Sequence, residues 1–372
     1  MVASGTEIYT SEIARAARLL DVGELIGLPT ETVYGLAADA DNADAVRKIF
    51  AVKGRPANHP VIVHLHSNAD PQRWAVGLPD AARRLIDAFW PGPLTLVLRR
   101  RSGMAEACAG GQDTIALRSP AHPMAQAVLS VFRNGQGGVA APSANRFGRI
   151  SPTTAAHVRV ELGSAVAMVL DGGACTVGIE STIVDCSQAQ SGGAPRILRP
   201  GGLPAGAIAT ILGCDPDLLV SPRSAQAEAP SRGEQAVESR IAGQTHSPDS
   251  SPRVPGALAA HYAPATPLFL RPAPEIAASW SATHHVGVIA TGRQPAINAS
   301  GIWLTLPSDA AGFAHELYGT LRELDMRNLD AIWVEIPPPD PAWDGVRDRL
   351  QRASHGSRVQ DPQGGVSGPH TY

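Results

Sequence analysis

The chain has 372 residues, 44% hydrophobic and only 5% aromatic, with a formal charge of -3 and a pI near 6.5. That length accommodates two domains with proper cores, and the lack of a basic excess argues against tight, unspecific nucleic-acid binding, which draws on many phosphate contacts. Cys108, Cys175, Cys186 and Cys214 stand far apart without paired spacing, as reduced thiols do rather than a disulfide frame or a zinc site. The N-terminus lacks the pattern of a signal peptide and no apolar run approaches a membrane span, so a cytoplasmic protein without a membrane partner is expected.

In chain order, Ser11 to Leu20 has Ile13, Ala16, Ala17 and Leu20 on one helical face, with Ser11 as the candidate cap. Leu25 to Leu28 reads as a strand ending at Pro29, followed by the hydroxyl-rich turn Thr30-Glu31-Thr32. Asp41 or Asn42 can cap a helix whose apolar face is Val46, Ile49 and Phe50. That helix must stop at Lys53-Gly54-Arg55-Pro56, because Gly54 suits a C-terminal cap and Pro56 cannot continue it. Val61 to Val63 reads as a strand leading to His64, Pro79 to Trp90 as a helix, Leu94 to Leu98 and Thr114 to Arg118 as strands, and His122 to Phe132 as a helix. Gly138 to Ala141 is a short strand, Ser151-Pro152-Thr153 starts another helix, and Val166 to Leu170, Ser181 to Val184 and Arg196 to Arg199 are strands. The fold class expected is α/β: a mixed twisted sheet with helices in an N-terminal catalytic domain, residues 9–212.

Residues 213–254 turn to Ser, Ala, Gln, Glu and Pro and read as a flexible linker, since such a composition cannot bury enough surface to fold. A smaller, Rossmann-like α/β domain is expected over 255–356, with strands at His285 to Ala290 and Ala331 to Ile336 and helices at Ala310 to Asp325 and Trp343 to Ala353. The Gly- and Pro-rich tail, 357–372, is expected to be disordered.

No P-loop, no GxGxxG after a strand, no His-Glu-x-x-His and no nucleophile elbow occurs. The candidate anion site is Lys53 with Arg55, aided by Ser143, Asn145 and Arg199, since an arginine fork and a lysine point charge suit a polyphosphate. Taken alone, Lys-Gly-Arg-Pro reads more simply as a solvated turn after a helix. Glu31 and Glu180 invite a paired-carboxylate reading, yet turn capping or a local ion pair is the simpler assignment.

These pieces recur together in one family. Leu28 to Leu36 (LPTETVYGL), Lys53-Gly54-Arg55-Pro56, His59-Pro60, His64, Thr114 to Arg118, Ala141-Pro142-Ser143-Ala144-Asn145, Ser151-Pro152-Thr153, Gly178 to Ile183 and Leu198-Arg199-Pro200-Gly201 resemble the threonylcarbamoyl-AMP synthase family in its longer two-domain form. His261-Tyr262-Ala263-Pro264, Leu317-Tyr318, Leu321-Arg322 and Asp348-Arg349-Leu350 resemble its extra C-terminal domain. The resemblance implies a nucleotidyltransferase that makes L-threonylcarbamoyladenylate and pyrophosphate from L-threonine, bicarbonate and ATP. A separate tRNA threonylcarbamoyl-transfer machinery, a transient partner, then modifies the adenosine beside the anticodon.

By the same resemblance, Lys53, Arg55, Ser143 and Asn145 form the signature catalytic tetrad. ATP contacts fall to Arg55, His59, Thr114, Ser143, Ser151, Arg199 and Tyr262. L-threonine contacts fall to Thr32, His64, Arg118, Ala141 through its backbone, and Ser181. His59 stands where the family more often has Asn, and Phe147 replaces a small residue. Mg²⁺ is expected to be carried with ATP rather than in a protein site, because no carboxylate cage is visible. Double-stranded RNA binding is expected to be weak at most, and the zinc-finger cysteines and acylphosphatase segment of hydrogenase-maturation carbamoyl transfer are missing. Tyr262 reads either as part of a lid excluding water from a hydrolysable adenylate or as an ordinary domain-entry strand.

Overall fold

The computed structural model describes residues 5–189, 192–220, 251–256, 258–280, 285–295 and 301–355. Most of the expected linker and the expected tail therefore lie outside the described residues. The first unit opens with α1 (Gly5–Asp21), which starts earlier than the pattern from Ser11 suggests. Ser11 is an interior residue of that helix, so its expected capping role is corrected, while Ile13, Ala16, Ala17 and Leu20 are buried as expected.

Nine strands form one sheet in the first unit: β1 (Ile26–Leu28), β2 (Gly35–Asp39), β3 (Val63–Leu65), β4 (Leu94–Arg99), β5 (Thr114–Arg118), β6 (Gly138–Ala140), β7 (Met168–Val169), β8 (Thr182–Asp185) and β9 (Arg196–Arg199). The spatial order is β7-β1-β2-β6-β3-β5-β4-β8-β9. Pairing is mixed: β1 with β7, β3 with β5 and β4 with β8 run parallel, and the other neighbours antiparallel. Helices α2 (Ala43–Lys53), α3 (Asp80–Phe89), α4 (Pro123–Val131), α5 (Ala155–Leu162) and α6 (Ala205–Leu212) pack on it. Asn42, rather than Asp41, caps α2 by accepting from the amides of Asp44 and Ala45 at 3.0 and 3.1 Å. Gly54 ends the helix with φ of 62°, a left-handed conformation that glycine adopts without steric cost. Thr154, not Ser151, caps α5.

The second unit is a four-stranded, all-parallel sheet in the order β10-β13-β11-β12, from β10 (Leu268–Arg271), β11 (Val286–Ala290), β12 (Ile302–Thr305) and β13 (Ala331–Glu335). Helices α7 (Ala273–Ser279), α8 (Ala310–Asp325) and α9 (Asp344–His355) join and cover these strands. The observed class is thus the expected mixed α/β sheet plus a smaller parallel α/β unit.

The two units share buried surface. Phe313, Leu317, Tyr318, Leu321 and Val346 of the second unit cluster with Val33, Ile150 and Ile179 of the first. Polar clamps reinforce this contact: Arg149 pairs with Asp325 at 3.0 Å, and Arg322 with Glu161 at 3.1 Å while also donating to the carbonyl of Ile150. Backbone approaches are close enough that a methyl on Gly345 would stand 2.7 Å from the carbonyl oxygen of Gly201.

Residues 251–256, expected as linker and domain entry, lie against the first unit. Val254 packs on Ile62, Val97, Ala116 and Ile183, one face of the sheet. Arg253 donates to the carbonyl of Gly110 at 2.7 Å.

Candidate functional site

A cavity opens on that face where β5 ends, β8 begins and β9 ends. Side chains two apart along a strand share a face, so Ile62 and His64 point the same way, and with Arg118 they line one side. His64 and Arg118 are register partners across β3 and β5. The wall further includes Thr30, Thr32, Val33, Gly35, Arg55, Ala141, Pro142 and Ser143. Glu180, Ser181, Arg199, Pro255, Gly256, His261 and Tyr262 complete it.

Of the sequence candidates, the cavity brings together Arg55, Ser143, Arg199 and Tyr262 with Thr32, His64, Arg118, Ala141 and Ser181. Lys53, Asn145, His59, Thr114 and Ser151 are not in its wall. Lys53 is buried, and its amine donates to the carbonyls of Ser143 and Asn145, each at 2.5 Å. Asn145 donates to the carbonyls of Arg146 and Arg149 at 2.7 and 2.8 Å. Both therefore brace the 143–149 loop that presents Ser143. Burial, with Arg55 nearby, holds the Lys53 ammonium well below the usual lysine range. Thr114 shares the face of Arg118 but stands four residues up β5, roughly 13 Å away. His59 packs edge-on against Phe147, and Phe147 against His261. The Ser151 hydroxyl turns away to Glu180, donating at 2.6 Å.

The charges divide the cavity in two. Arg118 pairs with Glu31 at 2.6 Å, and donates to the Thr32 hydroxyl at 2.8 Å and to the Gly92 carbonyl at 3.2 Å. Three of the five N–H groups that a guanidinium carries are thereby used, leaving two. Arg55 and Arg199 make no ion pair among the described residues: Arg55 donates to the carbonyl of Pro60, and Arg199 to those of Ser181 and Pro255. Burial lowers both, Arg55 to about 10, so Arg55 stays charged at neutral pH.

Several polar atoms here lack partners. Arg55 Nε, His64 Nδ1, Asn145 Oδ1 and His261 Nδ1 are buried without a hydrogen bond among the described residues. Three of them, on Arg55, His64 and His261, belong to residues of the cavity wall, where a polar ligand would supply the missing partner. His64 and His261 are each held down to about 3 by burial first, then by neighbouring cations, Arg118 beside His64 and Lys53, Arg55 and Arg199 beside His261. Both imidazoles are neutral at physiological pH.

This has a measurable consequence. As pH drops below the ordinary imidazole value of 6.5, the unfolded chain binds two protons that the folded chain refuses until about pH 3. Stability is therefore complete above pH 6.5 and declines across that window, by up to about 1.4 kcal/mol per pH unit for each histidine. Urea unfolding at pH 7.0, 6.0 and 5.0 should show the midpoint falling with pH, and a midpoint flat to pH 5.0 would contradict this account. Glu180 adds nothing until lower pH: burial pushes its carboxyl up, but Arg349 and Arg199 outweigh that and bring it to about 2, so its contribution is lost only as pH falls from 4.5 toward that value.

Two residues without a sequence-assigned role complete the site from behind. Arg349 and Tyr318, from α9 and α8, both bind the Glu180 carboxylate, at 2.7 and 3.0 Å. Glu180 thus pairs across the two units, not locally as its sequence neighbours suggest. Tyr262 holds φ of 61°, stacks on Tyr318 with centroids 6.0 Å apart, and lies under Arg349. It belongs to no strand: the first strand of the second unit is β10, and Ala263 makes a single bridge to Arg149.

Comparison with known proteins matches this layout. A family model described as "Telomere recombination" matches residues 18–201, and one described as "Threonylcarbamoyl-AMP synthase, C-terminal domain" matches 226–355. A Threonylcarbamoyl-AMP synthase of Bacillus subtilis is 34% identical over 362 residues, covering 94% of each chain. One from Pyrococcus abyssi is 33% identical, covering 92% of this chain and 94% of its own. The crystal structure of P. abyssi Sua5 complexed with L-threonine superposes with a TM-score of 0.77 at 31% identity, covering 94% of this chain and 95% of that one. The chain, matched along nearly its whole length in sequence and in fold, belongs to the threonylcarbamoyl-AMP synthase family.

Proposed function

We propose that this chain condenses L-threonine, bicarbonate and ATP into L-threonylcarbamoyladenylate and pyrophosphate, and that the adenylate supplies threonylcarbamoyl modification of the tRNA adenosine beside the anticodon. The observation that carries this reading is the division of one cavity into two parts. Among the described residues Arg55 and Arg199 lack carboxylate partners, whereas Arg118, on the same cavity wall with Thr32, His64 and Ser181, is paired with Glu31.

Threonine's amine takes up the carbon of bicarbonate with loss of water and becomes a carbamate. A carbamate oxygen, already anionic, bonds to the α-phosphorus of ATP. The bond from that phosphorus to the bridging oxygen breaks, and its electron pair departs with pyrophosphate. No strong general base is required for the attack, so the work of the protein is placement and charge. Arg55 and Arg199 offset the charge gathering on pyrophosphate. The two unused N–H groups of Arg118 suit the threonine carboxylate. Neutral His64, with a free Nδ1, offers a hydrogen-bond acceptor or donor to a small polar group. Magnesium enters as part of the substrate, carried on the phosphates of ATP. The product is handed to the transfer machinery in a transient encounter.

Incubation with ATP, Mg²⁺ and radiolabelled bicarbonate tests the reading. Label should enter an adenylate in step with pyrophosphate, and only when L-threonine is present. Pyrophosphate release indifferent to L-threonine would overturn it.

A further inference from the structure

A dense polar arrangement centres on Glu180, a residue of the cavity wall, with Arg349 and Tyr318 standing behind it. Glu180 immediately precedes Ser181, and each carboxylate oxygen is bound. One accepts from the Ser151 hydroxyl at 2.6 Å. The other accepts from Arg349 Nε at 2.7 Å and from the Tyr318 hydroxyl at 3.0 Å. The Glu180 backbone carbonyl accepts from the amide of Gly202 at 3.1 Å. Arg349, with a side chain 0% exposed, also donates through Nη1 to the carbonyl of Pro200 at 2.8 Å and to Asp348 at 2.6 Å.

We propose that Arg349, on the second unit, is a positioning residue for the substrate cavity of the first, acting through Glu180. One guanidinium grips the segment entering β8 at Glu180 and the segment leaving β9 at Pro200. The next residues inward are Ser181 and Arg199, which line the two parts of the cavity and touch each other, Arg199 Nη2 donating to the Ser181 carbonyl at 2.7 Å. Arg349 therefore fixes the separation between the recess and the cation that faces the phosphates. The surrounding packing gives that grip no slack, because a methyl on Gly345 would meet the Gly201 carbonyl at 2.7 Å, and one on Gly178 would run into the backbone of Ala314 and His315. The same guanidinium lies 5.2 Å from the ring centroid of Tyr262, another wall residue.

Stability alone does not account for this arrangement. A buried ion pair is commonly replaceable by apolar side chains without loss, because desolvation offsets most of the attraction. What apolar groups cannot supply is a planar fork that reaches two backbone segments and a carboxylate at once.

The inference rests on the function proposed above, and the experiment separates the two. Full-length wild type, Arg349→Met, the double variant Glu180→Gln with Arg349→Met, and Tyr318→Phe are compared by melting temperature, by threonine-dependent pyrophosphate release, and by calorimetric binding of L-threonine and ATP. Arg349→Met should lose about 10- to 100-fold in kcat/KM, the range expected for hydrogen bonds to a charged group. The double variant removes the uncompensated charge and should recover the melting temperature while kcat/KM and both affinities stay low. Tyr318→Phe keeps the ring on Tyr262 and should lose about 2- to 10-fold. A double variant or a Tyr318→Phe protein with wild-type kcat/KM and affinities would overturn the proposal, even if Arg349→Met fails to fold. A wild type that releases no pyrophosphate in response to threonine would strike the functional reading instead, and the affinities would still decide the role of Arg349.

Discussion

Replacing Arg55 by alanine is expected to lower kcat/KM for threonine-dependent pyrophosphate release by about 10²- to 10³-fold, the usual cost of removing one preorganised charge-stabilising donor. The fold should tolerate the change. Arg55 sits on the turn after α2, and the only hydrogen bond of its side chain among the described residues is to the Pro60 carbonyl. Its charge is not neutralised by a carboxylate, so what disappears is field in the cavity rather than an internal pair. Unchanged kinetics in a folded Arg55→Ala protein would remove the main support for placing the phosphates there. Arg199 is a poorer probe of the same point, because it also holds the Ser181 and Pro255 carbonyls together.

Lys53→Met should fail differently. The substitution keeps most of the buried stem but deprives the carbonyls of Ser143 and Asn145 of their shared donor. Two buried acceptors left without a donor cost roughly 2–5 kcal/mol together, so the urea midpoint should fall clearly. Activity should drop with it, since the loop presenting Ser143 loses its anchor. Both effects from Lys53 and only one from Arg55 would confirm that the two cations of the Lys-Gly-Arg-Pro turn have separate tasks. A Lys53→Met protein as stable as wild type would mean that the amine serves a ligand and not the loop.

The division between what could and could not be read in advance follows the range of the interactions. Val46, Ile49 and Phe50, the Asn42 cap and the Gly54 stop lie within a few residues of one another, and the helix they define is found as expected. Arg118, Ser181 and Arg199 were recognisable from the words around them, and the strands carry them to one cavity. The start of α1 was missed because Ser11 satisfies a local capping rule that a longer helix overrides. Strands β10 and β12, at the edges of their sheet and only partly buried, lack strong alternation. Helix α6 was missed among its alanines. Glu180 and Arg349 are 169 positions apart, and nothing near either one announces the other. The same holds for Lys53, whose neighbours suggest a phosphate ligand, whereas carbonyls some 90 residues away claim its amine.

The shared apolar cluster of Val33, Ile150 and Ile179 with Phe313, Leu317 and Leu321 bears on how far this chain is modular. Two sheets and two family models suggest two parts that could be separated and recombined. Excision at the intervening segment would instead leave the nine-stranded part with a raw greasy face, a carboxylate stripped of its counterion and a cavity missing one wall. Swapping in the smaller part from a relative would succeed only where helices α8 and α9 bring the matching arginine and tyrosine with them. In this chain, then, each part keeps its buried face and its ion pairs covered only while the other is in place.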